Sequence, residues 1–117
     1  MPADRNNKVS CHHYTCEIEI AMEVLGGKWK ALIIWNLGQR EVIRYNTFRT
    51  LIPGISQKML TQQLRLLEDE LIVERTVYPE VPPVVEYRLT DLGKELLPIL
   101  SGMDQWGKKF VKAYEEK

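Results

Sequence analysis

Ile55-Ser56-Gln57-Lys58-Met59-Leu60-Thr61-Gln62-Gln63-Leu64-Arg65-Leu66-Leu67 reads as a helix with two unlike faces. Leu60, Leu64, Leu67 and Leu71 recur at spacings of four, three and four, which places them on one side of an α-helix. Gln57, Lys58, Thr61, Gln62 and Arg65 fall on the other side. None of these is acidic, and each can hydrogen-bond to a phosphate or a base edge. A helix that merely faced solvent would instead carry Glu–Lys pairs. Buried leucines beneath such an outer face fit a helix that lies in the major groove of DNA.

The flanking residues strengthen this reading. Tyr45, Phe48, Leu51 and Ile52 predict a short amphipathic helix over about 45–51. Pro53-Gly54 then stops it, because proline lacks an amide donor and glycine tolerates positive φ in a tight turn. Ser56 is the expected N-cap of the next helix. Helix, short glycine turn and helix make a helix-turn-helix, whose second helix enters the major groove. Downstream, Val73-Glu74-Arg75-Thr76-Val77-Tyr78 and Val84-Val85-Glu86-Tyr87-Arg88-Leu89 alternate apolar and polar residues as half-buried strands do. Pro79-Glu80-Val81-Pro82-Pro83 between them makes a stiff hairpin tip. The expected fold is α+β, mainly α: a winged helix-turn-helix with a two-stranded wing.

These segments, together with Gly26-Gly27-Lys28-Trp29-Lys30, resemble the HxlR-type winged-helix transcriptional regulators, relatives of the MarR type. The likeness runs from about Cys16 to Trp106 in an unbroken order of motifs. It implies a dimeric bacterial or archaeal DNA-binding regulator without enzyme activity. Two positions depart from the family pattern. Val84 stands where members usually carry an arginine suited to the minor groove. Leu71 stands where glycine is usual, which predicts a helix end without a left-handed glycine cap.

The chain has 117 residues, enough for one core. Residues 16–117 are expected to form a single domain and residues 1–15 a mobile tail. No run approaches the roughly 18 apolar residues that span a bilayer, and Met1–Lys8 is polar and lacks a signal-peptide core. A cytoplasmic protein without membrane contact is expected. The net charge of zero conceals an asymmetry. Between Lys28 and Arg65 lie seven basic residues and one acid, a charge of +6; the remainder, with nine basic and fifteen acidic residues, carries −6. A basic segment that coincides with the helix-turn-helix is the electrostatic footprint of DNA binding. Lys28, Lys30, Arg44, Arg49, Arg75 and Arg88 are candidate phosphate contacts.

At the C-terminal side, Thr90-Asp91 is a good helix start. From there Leu92, Leu96, Ile99, Met103, Trp106, Phe110 and Tyr114 recur close to a heptad spacing. A helix over about 91–114 cannot bury its far end against so small a domain. Met103, Trp106, Phe110 and Tyr114 are therefore expected to pack on a second subunit, with Pro98 kinking the helix or ending its first part. A helix over about 17–25, apolar on most sides, is expected to be buried on two faces, with Ile18 and Met22 at the dimer interface. The segment 29–37 should supply the centre of the core, with Trp29 and Trp35 as packing residues. A dimer would read two half-sites one helical turn apart, hence a pseudo-palindromic operator.

Cys11 and Cys16 lie in Cys11-His12-His13-Tyr14-Thr15-Cys16. The spacing of Cys16 to the Gly26-Gly27-Lys28-Trp29 motif resembles that of the N-terminal cysteine of HxlR-type regulators, which in some members senses oxidants or electrophiles. A helix N-terminus favours the reactive thiolate, whereas Glu17 and Glu19 oppose it. Three readings stay open: thiol sensing through Cys16 with Cys11 as a resolving thiol, two inert thiols, or a metal site shared with His12 and His13. The last strains tetrahedral geometry, since four ligands fall within six residues. No cofactor motif, nucleophile–base pair or phosphate loop is present. The leading expectation is a homodimeric, sequence-specific regulator of transcription, acting by repression. The alternatives are a winged helix used only for protein contacts and a regulator controlled by a small-molecule effector.

Overall fold

The turn before the two-faced helix closes as the sequence predicts. In the computed structural model, which describes residues 16–117, Gly54 takes φ +91° and Ser56 is extended. Ser56 Oγ accepts the Met59 amide at 3.0 Å. This satisfies one of the amides that every helix start leaves without a partner. The chain then runs through α1 (Glu17–Leu25), α2 (Trp29–Arg40), β1 (Val42–Arg44), α3 (Tyr45–Leu51), α4 (Gln57–Asp69), β2 (Val73–Tyr78), β3 (Val84–Leu89), α5 (Asp91–Lys94) and α6 (Leu97–Glu115).

Leu60, Leu64 and Leu67 on α4 are buried with Ile33, Ile34 and Leu37 of α2, Phe48 of α3 and Ile43 of β1. Each such side chain contributes about 1.5–3 kcal/mol by leaving water. Leu71 does not join them: it lies beyond the helix and is exposed. It is also left-handed, at φ +67°. The Ile72 amide donates to the Leu67 carbonyl at 2.9 Å and the Leu71 amide to that of Glu68 at 3.1 Å. These two bonds make a Schellman end, and Ile72 and Leu67 supply its buried apolar contact. The helix end thus keeps the left-handed geometry expected to be lost without glycine, and a leucine bears the strain.

The wing strands have the expected bounds, but the sheet has three strands in the order β1-β3-β2, all antiparallel. The expected two-stranded wing missed β1, which is only three residues long. Glu41, at φ +67°, turns the end of α2 into it. Alternation sets the two faces of the sheet. Ile43, Tyr87 and Arg75 share a row toward the helices, while Arg44, Glu86 and Thr76 form the next row on the outer face.

The C-terminal segment is two helices rather than one. Thr90 caps α5, its Oγ1 accepting the Gly93 amide at 2.9 Å, and the Thr90 hydroxyl donates to the Leu71 carbonyl at 2.7 Å. Gly93 lies against the Ile72 carbonyl so closely that no Cβ would fit. The chain breaks after α5, and Pro98 sits in the first turn of α6, where its missing amide costs nothing. Beyond Leu100, none of the residues of α6 is buried. At 19 residues, α6 is about 28 Å long, and its far half projects from the core. The α2 helix extends past the expected end at 37, and Gly38 inside it lets the Leu97 side chain of α6 approach. In the α1 helix Val24 and Leu25 pack against the core, and the face with Ile18 and Met22, expected to meet a second subunit, is exposed in the single chain.

Candidate nucleic-acid interface

The α4 helix presents Gln57, Lys58, Thr61, Gln62 and Arg65 as the lining of one shallow open surface. Spacings of three and four bring them to the same side. The leucines opposite are locked in the core, so the polar face cannot turn away. All these residues are exposed except Thr61, which is half-buried because the Tyr45 hydroxyl lies 2.6 Å from its Oγ1. The same tyrosine hydroxyl donates to the Gln57 carbonyl at 3.3 Å. Sequence reasoning took Tyr45 only as an apolar position of α3. Nothing in the spacing signalled a hydroxyl reaching sixteen residues along the chain.

A polar cleft of about 340 Å³ separates α4 from the sheet. Arg65 and Glu68 line it from α4, and Arg75 and Tyr87 from the strands. Burial pushes the Tyr87 hydroxyl above the ordinary tyrosine range. The charge and hydrogen bond of Arg75 work against that rise, while Glu68 and Tyr45 add to it. Arg75 therefore faces the same cleft as Arg65.

The other basic candidates divide. Lys28 and Arg49 are exposed, Lys28 lying 4.6 Å from the centre of the Trp29 ring. Lys30 is not available to a phosphate. It is buried, with its Nζ 3.4 Å from Glu70 Oε1 and donating to the Glu23 carbonyl at 3.3 Å. Arg44 and Arg88 lie on the outer face of the sheet, each 3.5 Å from a Glu86 oxygen. Arg88 lines a groove with Leu37, Lys94 and Leu97, away from the α4 surface. The structure does not bring these two together with the polar residues of α4.

A second surface is apolar. Trp106 stacks on Phe110 with ring centres 5.4 Å apart, and Phe110 on Tyr114 at 6.0 Å, all at i, i+4 on the projecting part of α6. Met103, Trp106, Phe110 and Tyr114 are each more than half exposed, as are Ile18 and Met22 of α1. Between the two helices an apolar hollow of about 360 Å³ is lined by Ile20, Val24, Leu71, Leu92 and Ile99, among others. Cys16 is the exposed N-cap residue of α1, and its side chain makes no capping bond. Trp29 and Trp35 pack against the core. Cys11 and the adjacent histidines lie outside the described residues, as does the expected mobile tail. Among the described residues no group of three or more His, Cys, Asp or Glu is placed to hold a metal, and no helix is long and apolar enough to cross a membrane.

Comparison with known proteins agrees with this architecture. The HxlR-like helix-turn-helix family profile matches residues 24–115. MalR of Fusobacterium mortiferum, a regulatory protein by name, is 42% identical over 106 residues, covering 91% of this chain and 95% of MalR. The redox regulator HypR in its reduced form superposes with a TM-score of 0.81 at 42% identity, covering 87% of this chain and 100% of HypR. The reduced form of the transcriptional regulator YodB from B. subtilis superposes with a TM-score of 0.71 at 39% identity, covering 83% of this chain and 95% of YodB.

Proposed function

The chain belongs to the HxlR-like helix-turn-helix family of DNA-binding transcriptional regulators, and from that premise we propose that it acts as a homodimer on a pseudo-palindromic operator. The α4 helix of each protomer enters the major groove. Gln57, Lys58, Thr61, Gln62 and Arg65 face the bases, and Lys28, Arg49 and Arg75 neutralise phosphates. The observation that carries this is the pairing of two surfaces on one small chain. One is polar and free of acids, on a helix whose other side is buried. The other is a bare aromatic stripe too apolar to be left in water. Two such protomers joined through α1 and α6 would span half-sites about 34 Å apart. A dimer seated over a promoter blocks polymerase, so repression is the expected direction.

Selection of bound duplexes from a randomised pool, followed by sedimentation of the complex, tests the proposal. The expected result is an inverted repeat with two protomers per duplex. Selection that enriches no motif would instead favour a winged helix used for protein contacts alone.

A thiol response is the second part of the proposal. Cys16 is exposed at the start of α1, beside the bare Ile18 and Met22 face on which a partner would sit. The similar HypR is a redox regulator by name. Operator binding by the wild type is expected to change on treatment with a thiol oxidant and to recover with reductant, and Cys16→Ser is expected to abolish the change. Binding that ignores the oxidant would leave control to a small-molecule effector.

A further inference from the structure

We propose that Tyr45 is a specificity-determining positioning residue, which acts on DNA through Thr61 without touching a base. The proposal rests on the groove assignment of α4. A threonine within a helix divides between two rotamers, because its hydroxyl can also turn back to the carbonyl four residues earlier. For Thr61 that carbonyl belongs to Gln57. Tyr45 occupies both alternatives: its hydroxyl is 2.6 Å from Thr61 Oγ1 and 3.3 Å from the Gln57 oxygen. The carbonyl can only accept, so the tyrosine proton goes to Gln57 or to Thr61, and in either arrangement Oγ1 is held toward Tyr45. Thr61 thereby keeps one rotamer and shows the groove one constant surface.

The tyrosine itself is well anchored. It is the first residue of α3, and its ring is partly buried against the core cluster that also holds Phe48 and Leu60. It also lines the cleft shared by Arg65 and Arg75, so its hydroxyl sits where α3, α4 and the sheet meet. A group fixed to the core therefore sets the orientation of a side chain at the middle of the reading surface. This is how a second layer of residues sharpens a site that it does not enter.

The test compares base preference at every operator position for the full-length wild type, Tyr45→Phe, Thr61→Ala, the double variant and Gln62→Ala. Tyr45→Phe keeps the ring and removes only the hydroxyl. It is expected to lower discrimination about twofold, since a threonine free to share two rotamers shows the competent surface about half the time, at the same base pair that Thr61→Ala flattens. The double variant should be no flatter than Thr61→Ala alone. In Tyr45→Phe the affinity for random DNA and its salt slope should hold and the loss should be confined to that base pair, which a displaced α4 would not allow. Full preference retained by Tyr45→Phe at the position that Thr61→Ala flattens overturns the proposal. So does a Thr61→Ala protein with unaltered preference while Gln62→Ala loses it, and in both cases the groove assignment survives. Unaltered preference in all the variants overturns the groove assignment and the proposal together.

Discussion

Lys30 Nζ lies 3.4 Å from Glu70 Oε1, and both residues are buried. The pair joins the first turn of α2 to the C-cap of α4, forty residues later. The same ammonium donates to the Glu23 carbonyl of α1, so one side chain ties three helices together. Lys30→Ala removes this ammonium from beside a buried carboxylate and is expected to cost about 3 kcal/mol of stability. Urea unfolding measures this. The salt dependence of DNA binding should keep its slope in Lys30→Ala, whereas Arg49→Ala should lower it by about one phosphate contact. A lower slope for Lys30→Ala would return that lysine to the DNA surface.

Leu71 holds a left-handed conformation at the end of α4 that costs a side-chain-bearing residue about 1–2 kcal/mol. Glycine would remove that strain but loosen the unfolded chain by roughly 0.5–1 kcal/mol. Leu71→Gly is therefore expected to raise stability by up to about 1 kcal/mol, read as a higher urea midpoint with an unchanged slope. A loss of more than that amount would mean that the exposed leucine is held by packing against the α1–α6 hollow.

Tyr87 gives the alkaline limb of stability. Its hydroxyl titrates above the usual tyrosine value because burial disfavours the phenolate. Where the folded state holds its proton more tightly than the unfolded chain, stability is full below the unfolded value, about 10. It then falls as pH rises through that value toward the folded one. Unfolding curves for the wild type and Tyr87→Phe between about pH 8 and 11 should stay parallel up to about 10 and then converge or cross. Curves that stay parallel throughout would show that Tyr87 ionises no differently in the two states.

Trp106 and Phe110 stack on each other and are each more than half exposed, so their removal should spare the fold. Trp106→Ala with Phe110→Ala is expected to weaken self-association by at least about thirtyfold, the loss of a 2 kcal/mol hot spot, with little change in melting at low concentration. Sedimentation across a dilution series checks this. An unaltered association constant would move the interface away from α6.

Most of the helix-turn-helix and wing was legible in the sequence because its boundaries are made by residues with little conformational choice. Pro53-Gly54 and the prolines after Tyr78 end their elements by sterics alone, and α3, β2 and β3 have the bounds that the pattern predicts. β1 was hidden because three residues carry too little alternation to register. Lys30 was misplaced because charge looks alike in sequence whether it meets phosphate or a carboxylate forty positions away. Leu71 continued the leucine spacing of α4 past the point where the helix ends, and periodicity does not report a change in φ. The part played by Tyr45 was invisible for a similar reason, since a tyrosine read as apolar conceals its hydroxyl.

Among the residues of α6 only Leu100 is buried, and the stretch beyond it adds nothing to the protein's own core. Under the proposed dimer, that stretch is constrained by the partner rather than by the fold. Substitutions there are expected to leave the winged helix folded, so after gene duplication two copies of the proposed dimer could drift apart in whom they pair with while both keep the same α4 face. Such sister regulators would become insulated from one another first, and only later acquire different targets.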